Sequence, residues 1–260
     1  MPISRRRSVA TPKVLSLSSS QELEFRERLQ QCFEECPVPA NELFTNLGLF
    51  LNRQTLSRIL FMHDLYLKII NVPGCIMEFG CQFGQNLALF TSFRTIYEPQ
   101  NVGRKVIGFD TFEGYTVASP QDGALMADVA SRHIGATGEN YETVLDRILA
   151  CHNALGPRAH VRKHEVIRGD ATATLPAYLE RNPETLIALA YFDMGLYEPT
   201  RKCLELIRNR VAKGSIIGLD HLAMNDLPGD SLAVIEVLGY RNCAFRRDPR
   251  VPYQSYVVIE

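Results

Sequence analysis

Five short apolar runs alternate with helical stretches through the middle of the chain, and this alternation constrains the fold more than any other feature. Each run has the length of a buried strand; they are CIMEFG (75–80), KVIGFD (105–110), EVIRGD (165–170), LIALAYFD (186–193) and GSIIGLD (214–220). Helices are predicted between them, including one from about Asn86 to Thr95 and one from about Pro199 to Val211. Strands that alternate with helices form a parallel sheet with right-handed crossovers. The sequence therefore predicts an α/β fold.

Segments at both ends of the chain add to this sheet. The apolar runs NCAFRRD and QSYVVIE near the C-terminus are too close together for a crossover helix, so they are predicted to form an antiparallel hairpin at one edge. Residues 21–72 are predicted to form a helical N-terminal cap. In its second helix, RQTLSRILFMHDLYLKII, the pattern places five residues near one face: Leu56, Ile59, Leu60, His63 and Leu67.

Length and composition narrow the class of protein. The 260 residues suit a single domain over residues 21–260, and the formal net charge of −1 gives no reason to expect a nucleic acid or a membrane as partner. No apolar run approaches the roughly 18 residues of a membrane span. Seven cysteines without a CxxC pair indicate a reduced, cytoplasmic protein and disfavour a zinc site.

Two segments are predicted to lie outside the regular fold. Residues 1–20 are basic, rich in serine and free of acidic residues, so a disordered tail is expected, with an organelle transit peptide as the alternative. Residues 115–140 form a long insertion after the second strand. Insertions of this length often close over a site, so this one is expected to be a lid.

Acidic residues cluster at the predicted carboxyl ends of the strands. Asp110, Asp170, Asp193 and Asp220 end or follow four of the five runs, and Glu78 lies in the first. Ligands of open α/β sheets bind at this edge. The carboxylates there favour a cationic or polyhydroxylated ligand.

The turn after the first strand, EFGCQFGQN (78–86), indicates which ligand this is. Gly80 and Gly84 allow a tight turn, but Gln82 replaces the middle glycine of a dinucleotide-binding motif. Glu78 before the first glycine suits the ammonium group of an amino-acid ligand such as S-adenosylmethionine (SAM). The alternative is that a strand-to-helix turn requires these glycines with no ligand at all.

The next two strand ends support a nucleoside ligand. In GFDTFEG (108–114), Asp110 is positioned to accept hydrogen bonds from ribose hydroxyls. In GDATATLP (169–176), Asp170 is expected beside the adenine, and an N-cap of the following helix is the alternative role. The residues expected to bind the cofactor are Glu78, Gly80, Gly84, Asn86, Asp110, Thr111, Asp170 and Ala171.

Several stretches resemble the macrocin O-methyltransferase-like family of SAM-dependent sugar methyltransferases. They include VPGCIMEFGCQFGQNLALF, KVIGFDTFEGY, ALAYFDMGLYEPT, KGSIIGLDHL and LPGDSLAVIEVLG, in the order of the family. The resemblance implies a Rossmann-like class I methyltransferase fold, SAM as methyl donor and a hydroxyl acceptor, often a sugar of a natural product. It also implies a homo-oligomer and, in many members, Mg²⁺.

The sequence departs from the family at the metal ligands that the resemblance implies. The family has Asp-x-Asp-Leu-Tyr after the fourth strand, where this chain has Asp193-Met194-Gly195-Leu196-Tyr197. After the fifth strand it has Asp220-His221 in place of two acids. Glycine and histidine are poor substitutes in an oxygen shell for Mg²⁺. Asp193, Asp220 and His221 remain a candidate set for a metal that accepts imidazole, so the metal stays open.

These observations predict a SAM-dependent methyltransferase acting on a sugar hydroxyl of a natural product or glycan precursor. Without a metal, Asp193 or His221, or the two as a pair, would take the proton of the acceptor hydroxyl. His221 has an alternative role as a simple partner of a backbone carbonyl. In the loop 224–232, Asp226 and Asp230 are expected to contact the acceptor or to be solvated. Two alternative functions are N-methylation of an amine and SAM binding without catalysis.

Overall fold

The computed structural model describes residues 18–115 and 117–260, which form two compact units that meet in the chain after Arg53. In the first unit, helix α1 (Ser20–Glu34) is followed by helix α2 (Ala40–Thr45) and a 3₁₀ turn over Leu47–Phe50. Ser19 caps α1 because its side chain accepts a hydrogen bond from the backbone N–H of Glu22, whose carboxylate bonds back to Ser19. The predicted disordered tail lies outside the described residues as far as residue 17.

The second unit contains a seven-stranded sheet. Its strands are β1 (Cys75–Phe79), β2 (Val106–Asp110), β3 (His164–Arg168), β4 (Ile187–Phe192), β5 (Val211–Leu219), β6 (Phe245–Arg247) and β7 (Ser255–Val258). Their order across the sheet is β3-β2-β1-β4-β5-β7-β6. The first five are parallel, and β7 runs antiparallel to both β5 and β6. The predicted parallel sheet with a C-terminal antiparallel hairpin is confirmed.

Seven helices accompany this sheet among the described residues. They are α3 (Arg53–Ile69), α4 (Gln85–Tyr97), α5 (Gly123–Ser131), α6 (Tyr141–Ala154), α7 (Ala171–Arg181), α8 (Tyr197–Ile207) and α9 (Gly229–Val237). None of the helices in the described part of the chain is long and apolar enough to cross a bilayer.

Two apolar layers form the core. In β1, Ile76 belongs to one layer and its neighbours Met77 and Phe79 contribute to the other, as the alternation of side chains along a strand requires. All residues of β1 and β4 are buried, which explains their continuous apolar sequences. Phe79 stacks on Phe109 and on Phe192, with ring centroids 5.1 and 4.7 Å apart. The ends of β1, β2 and β4 are therefore packed together by three stacked aromatic side chains.

The buried face of α3 is opposite to the one predicted. Leu56, Leu60 and Leu67 are exposed, whereas Phe61 and Leu65 are fully buried with Met62, Tyr66 and Ile69. Both faces carry apolar residues at helical spacing, so the pattern alone did not distinguish them. Packing against the sheet selects the face with the aromatic side chains.

Two other predictions about the elements need correction. The helix predicted from Pro199 to Val211 begins at Tyr197, whose N–H bonds to the Asp122 carboxylate, and ends at Ile207. Val211 instead pairs with Ile187 and begins β5. The insertion 115–140, predicted as a loop, contains a 3₁₀ turn and α5, where Met126 is buried. Its role as a lid stays a prediction.

Candidate active site

A cavity of about 500 Å³ opens at the carboxyl ends of the parallel strands, where ligands of such sheets bind. The turns after β1, β2, β3 and β4 line it, together with part of the insertion. Predicted site residues in its wall are Gly80, Asp110, Thr111, Asp170, Ala171 and Asp193; other residues in the wall are Gln82, Tyr115, Asp122, Met194 and Lys202. The volume is in the range of small-molecule sites.

The ends of β1 and β4 approach each other closely because Gly80 has no side chain. A Cβ at this position would lie 2.4 Å from the backbone oxygen of Asp193, and the φ of +85° also favours glycine. The backbone N–H of Asp193 donates to the carbonyl of Phe79 at 2.8 Å. The turn after β1 therefore fixes the position of the Asp193 backbone, from which the carboxylate at the end of β4 extends.

Asp110 holds two turns of the cavity together. Its Oδ2 accepts the N–H of Gln82 at 2.7 Å, and its Oδ1 accepts the N–H of Phe112 at 2.6 Å. Gln82 and Phe112 both have positive φ, so these bonds stabilise strained backbone. A carboxylate has about four lone-pair sites, so Asp110 retains acceptor capacity for a ligand in the cavity.

Glu78 is a buried carboxylate with an unused oxygen. Its Oε1 accepts a hydrogen bond from Nδ2 of Asn86 at 2.6 Å, while its Oε2 and Oδ1 of Asn86 have no hydrogen-bond partner in the described part of the chain. Burial raises the pKa of Glu78 to about 8. Buried polar atoms in folded proteins are nearly always satisfied, so this pair points to a ligand with hydrogen-bond donors.

Gly84, by contrast, has a packing role. It is the N-cap of α4, with φ +75°, and a Cβ there would lie 2.3 Å from Cδ1 of Leu145 on α6. Gly84, Glu78 and Asn86 are not among the residues that line the cavity. The sequence predicted that Gly84 binds the cofactor because sequence alone does not distinguish a glycine that allows close helix packing from one that allows close approach of a ligand.

At the end of β3, Asp170 has the alternative role that the sequence offered. Its carboxylate accepts the N–H of Thr172 at 2.8 Å and caps α7. Asp170 and Ala171 also border the cavity, so capping leaves them available to a ligand. Thr111, at the end of β2, donates to the carbonyl of Gly114 at 3.3 Å and borders the same cavity.

Asp193 and Asp220 are joined by an arginine that sequence reasoning missed. Arg58 on α3 places Nη2 2.6 Å from Oδ2 of Asp193 and Nη1 2.6 Å from Oδ1 of Asp220. Asp220 also accepts the hydroxyl of Tyr191 at 2.6 Å on Oδ1 and Nε2 of Gln254 at 3.3 Å on Oδ2. Arg58 follows the spacing of Phe61 and Leu65 on the buried face of α3, and this spacing was the signal available in the sequence.

His221 lies among three carboxylates. Its Nδ1 is 3.8 Å from Oδ1 of Asp193 and 3.6 Å from Oδ2 of Asp230, and its Nε2 is 3.6 Å from Oδ2 of Asp220. Nδ1 has no hydrogen-bond partner in the described ranges, so the structure gives no support to pairing with a backbone carbonyl through that atom. Asp230 is fully buried and accepts the hydroxyl of Thr200 at 2.9 Å, so its predicted solvation is wrong.

The environment gives these groups different charges. Burial, reinforced by the charge of Asp220, raises the pKa of Asp193 to about 6. Burial would also raise the pKa of Asp220, but Arg58 and His221 outweigh it and lower that pKa. Burial alone would lower the pKa of His221, but the nearby Asp230, Asp220 and Asp193 raise it to about 9. At neutral pH the site therefore contains ionised carboxylates and an imidazolium.

Three of these side chains are the candidate metal ligands that the sequence suggested. Asp193, Asp220 and His221 each offer a ligand atom, and these atoms lie within 4.8 Å of one another. Arg58, however, binds an oxygen of both carboxylates at 2.6 Å. The other oxygens, Oδ1 of Asp193 and Oδ2 of Asp220, face the His221 ring at 3.8 and 3.6 Å. A divalent cation there would lie among two positively charged side chains and have few free oxygens, so the residues as arranged do not fit one. A Cβ on Gly195 would lie 3.6 Å from Nδ1 of His221, so the ring fills the space beside this glycine.

The fold and the site together define a class. A mostly parallel sheet with an antiparallel seventh strand, a cavity at the carboxyl ends of the strands and a buried acid on β1 are the features of a class I SAM-dependent methyltransferase. Sequence and fold comparison then gives the family. The chain belongs to the family of CalS11, a calicheamicin methyltransferase, with 36% identity over 98% of this chain and 99% of that chain and a TM-score of 0.89.

A second structure of CalS11 agrees with this assignment, and the structure of NovP agrees with the fold alone. The apo structure of CalS11, described as a TDP-rhamnose 3′-O-methyltransferase of calicheamicin biosynthesis, matches 96% of this chain and 99% of that chain, with 36% identity and a TM-score of 0.83. The O-methyltransferase NovP shares the fold, with 20% identity, a TM-score of 0.62 and coverage of 78% of this chain and 79% of its own. No family profile and no curated protein matches the chain. The resemblance to sugar methyltransferases is confirmed, and the protein is a SAM-dependent methyltransferase.

Proposed function

We propose that this enzyme transfers the methyl group of SAM to a hydroxyl group of a sugar, with a nucleotide-linked deoxysugar as the class of acceptor. The observation that carries this proposal is the position of Asp193, a carboxylate of raised pKa at the end of β4 in the wall of the cavity. CalS11 is described as acting on TDP-rhamnose, so that sugar nucleotide is the first acceptor to test.

The residues proposed to hold SAM are the buried Glu78, which is outside the cavity lining, and four residues that line the cavity. The unpaired Oε2 of Glu78 suits the ammonium group of its methionine part. Asp110 keeps acceptor sites for the ribose hydroxyls, and Thr111 lies beside it. Asp170 and Ala171 border the part of the cavity that this orientation leaves for the adenine.

The proposed chemistry is a single displacement. Bound SAM supplies an electrophilic methyl carbon, to which the acceptor oxygen bonds while the carbon–sulfur bond breaks and its electron pair stays on sulfur. Asp193 accepts the proton of the acceptor hydroxyl at Oδ1, since Arg58 holds Oδ2. A pKa of about 6 leaves Asp193 ionised at neutral pH and still basic enough to act as a general base.

His221 supports Asp193 without taking the proton itself. With a pKa of about 9 it is an imidazolium at neutral pH and has no free base to offer. Its positive charge between Asp193 and the buried Asp230 favours the ionised form of Asp193 and restrains its carboxylate. Of the two bases that the sequence suggested, Asp193 is therefore the one we propose.

The test is methyl transfer to TDP-rhamnose by the full chain, with the product identified by mass spectrometry and NMR. Asp193→Asn, which keeps the shape of the side chain, is expected to lower kcat by about 10²- to 10⁴-fold. Asp146→Asn changes an aspartate that pairs with Arg162 and does not line the cavity, and it is the matched control, expected to retain full kcat. Affinity for S-adenosylhomocysteine is expected to be unchanged in both variants. Full turnover by Asp193→Asn would contradict the assignment of the base.

A further inference from the structure

The two carboxylates at the centre of the site are fixed on neighbouring strands. The N–H of Asp193 donates to the carbonyl of Phe79, and the N–H of Asp220 donates to the carbonyl of Phe192. Their side chains thus meet at one edge of the sheet, where Asp220 is almost entirely shielded from water and Asp193 is about a quarter exposed. Two like charges this close favour protonation of one of them unless a positive charge compensates.

We infer that the guanidinium of Arg58 supplies the positive charge that Asp193 and Asp220 would otherwise share with a divalent cation, so that methyl transfer by this enzyme needs no metal ion. The inference concerns the base and the acceptor site of the proposed function, on which it rests. Arg58 is a positioning residue in this account, because it acts through Asp193 and makes no contact with a reacting atom.

The geometry of the guanidinium matches this role. Its planar fork presents separate N–H groups to two acceptors, and here Nη1 and Nη2 each bind a different carboxylate at 2.6 Å. This contact leaves Oδ1 of Asp193 for the acceptor.

Asp220 receives two further hydrogen bonds besides the one from Arg58. Arg58 and Tyr191 both donate to its Oδ1, and Gln254 donates to its Oδ2. Mg²⁺ demands a near-octahedral oxygen shell and displaces such donors only by rearranging the site. Displacing Arg58 would separate a partly buried guanidinium from both carboxylates that pair with it, and breaking such an ion pair is destabilising.

Two basic side chains offset all but one of the negative charges of the site without an ion. Three carboxylates, those of Asp193, Asp220 and Asp230, face two basic side chains, Arg58 and His221. Arginine is charged at every accessible pH and is attached to the protein, so it cannot be removed by a chelator. A divalent cation at this site would meet repulsion from the guanidinium at contact distance.

Binding of Mn²⁺, followed by electron paramagnetic resonance, tests the inference without an acceptor or turnover. Wild-type protein and Arg58→Lys, which keeps the charge, are expected to bind no Mn²⁺ at the site up to millimolar concentration. Arg58→Ala is expected to gain at least about tenfold in Mn²⁺ affinity, since it exposes two unneutralised carboxylates. The double variant Arg58→Ala/Asp220→Asn is expected to lose that gain.

Stoichiometric binding of Mn²⁺ to the wild type that disappears in Asp220→Asn would overturn the inference. Because this measurement uses the wild type and Asp220→Asn, it decides the question even if Arg58→Ala does not fold. Activity adds a second readout: turnover by the wild type is expected to be the same in EDTA and in Mg²⁺. Failure of methyl transfer to any sugar would refute the proposed function but would leave the Mn²⁺ result intact, so the two failures are distinguishable.

Discussion

At the scale of single residues, the site separates two aspartates that the sequence presents as equivalent. Asp220 receives hydrogen bonds from Arg58 and Tyr191 and has a lowered pKa, whereas Asp193 is more exposed and has a raised one. Different environments for paired carboxylates are how enzymes assign different roles to them. Asp220 therefore holds the arginine, and Asp193 is left to accept a proton.

The pH dependence of kcat follows from these assignments. Asp193 must be ionised to act as a base, so activity is expected to rise with pH through about 6. His221 supports it as an imidazolium, so activity is expected to fall as pH rises through about 9. A rate profile between pH 5 and 10 checks both limbs, and Asp146→Asn is expected to give the same profile as the wild type.

His221→Gln identifies the alkaline limb. This variant cannot lose a proton in the range, so its fall above about 9 is expected to disappear while the acid limb remains. An alkaline limb that persists unchanged in His221→Gln would contradict the role given to this histidine.

Cofactor binding is expected to release a proton at Glu78. Its pKa of about 8 leaves much of it protonated at pH 7, and an ammonium group favours the ionised form. Release is expected to vanish well above pH 8, where Glu78 is already ionised. Calorimetry of S-adenosylhomocysteine binding in buffers of different ionisation enthalpy measures it. Glu78→Gln is expected to bind S-adenosylhomocysteine more weakly and to release no proton. Equal proton release by this variant and the wild type would show that the proton comes from another group.

At the scale of elements, the sequence predicted the strands from their repeated apolar runs but did not predict which face of α3 is buried. Apolar runs indicated every strand, most clearly β1 and β4, because a strand buried on both faces is apolar along its length. Helix α3 carries apolar residues on both faces, and only contact with the sheet determines which one is buried. Arg58 lies on the buried face, so the same ambiguity concealed it.

The packing of α4 on α6 gives a test at this scale. Gly84→Ala is expected to destabilise the fold by about 1–3 kcal/mol, because its Cβ would collide with Leu145 in addition to straining a positive φ. Gly138→Ala is the matched control, since Gly138 also has positive φ but has open space around it. Thermal unfolding of both variants measures the difference. An equal loss of stability in the two would show that the contact with Leu145 contributes nothing.

At the scale of the whole molecule, the topology collects the site from distant parts of the chain. The carboxyl ends of β1, β2, β4 and β5 bring Glu78, Asp110, Asp193 and Asp220 to one edge. The sequence predicted this convergence, since parallel strands share an edge. It could not predict the partner of two of these acids, because the helical spacing of Arg58 assigns it to a face of α3 but a contact between residues 58 and 220 depends on tertiary packing.

The account is tested most directly by methyl transfer from SAM to TDP-rhamnose in the presence of excess EDTA. The predicted result is an O-methylated sugar nucleotide, formed at the same rate as in Mg²⁺ and lost in Asp193→Asn. Product that appears only when a divalent metal is supplied would contradict the role of Arg58. Absence of O-methylated product from TDP-rhamnose and other nucleotide-linked deoxysugars, with or without metal, would contradict the proposed function itself.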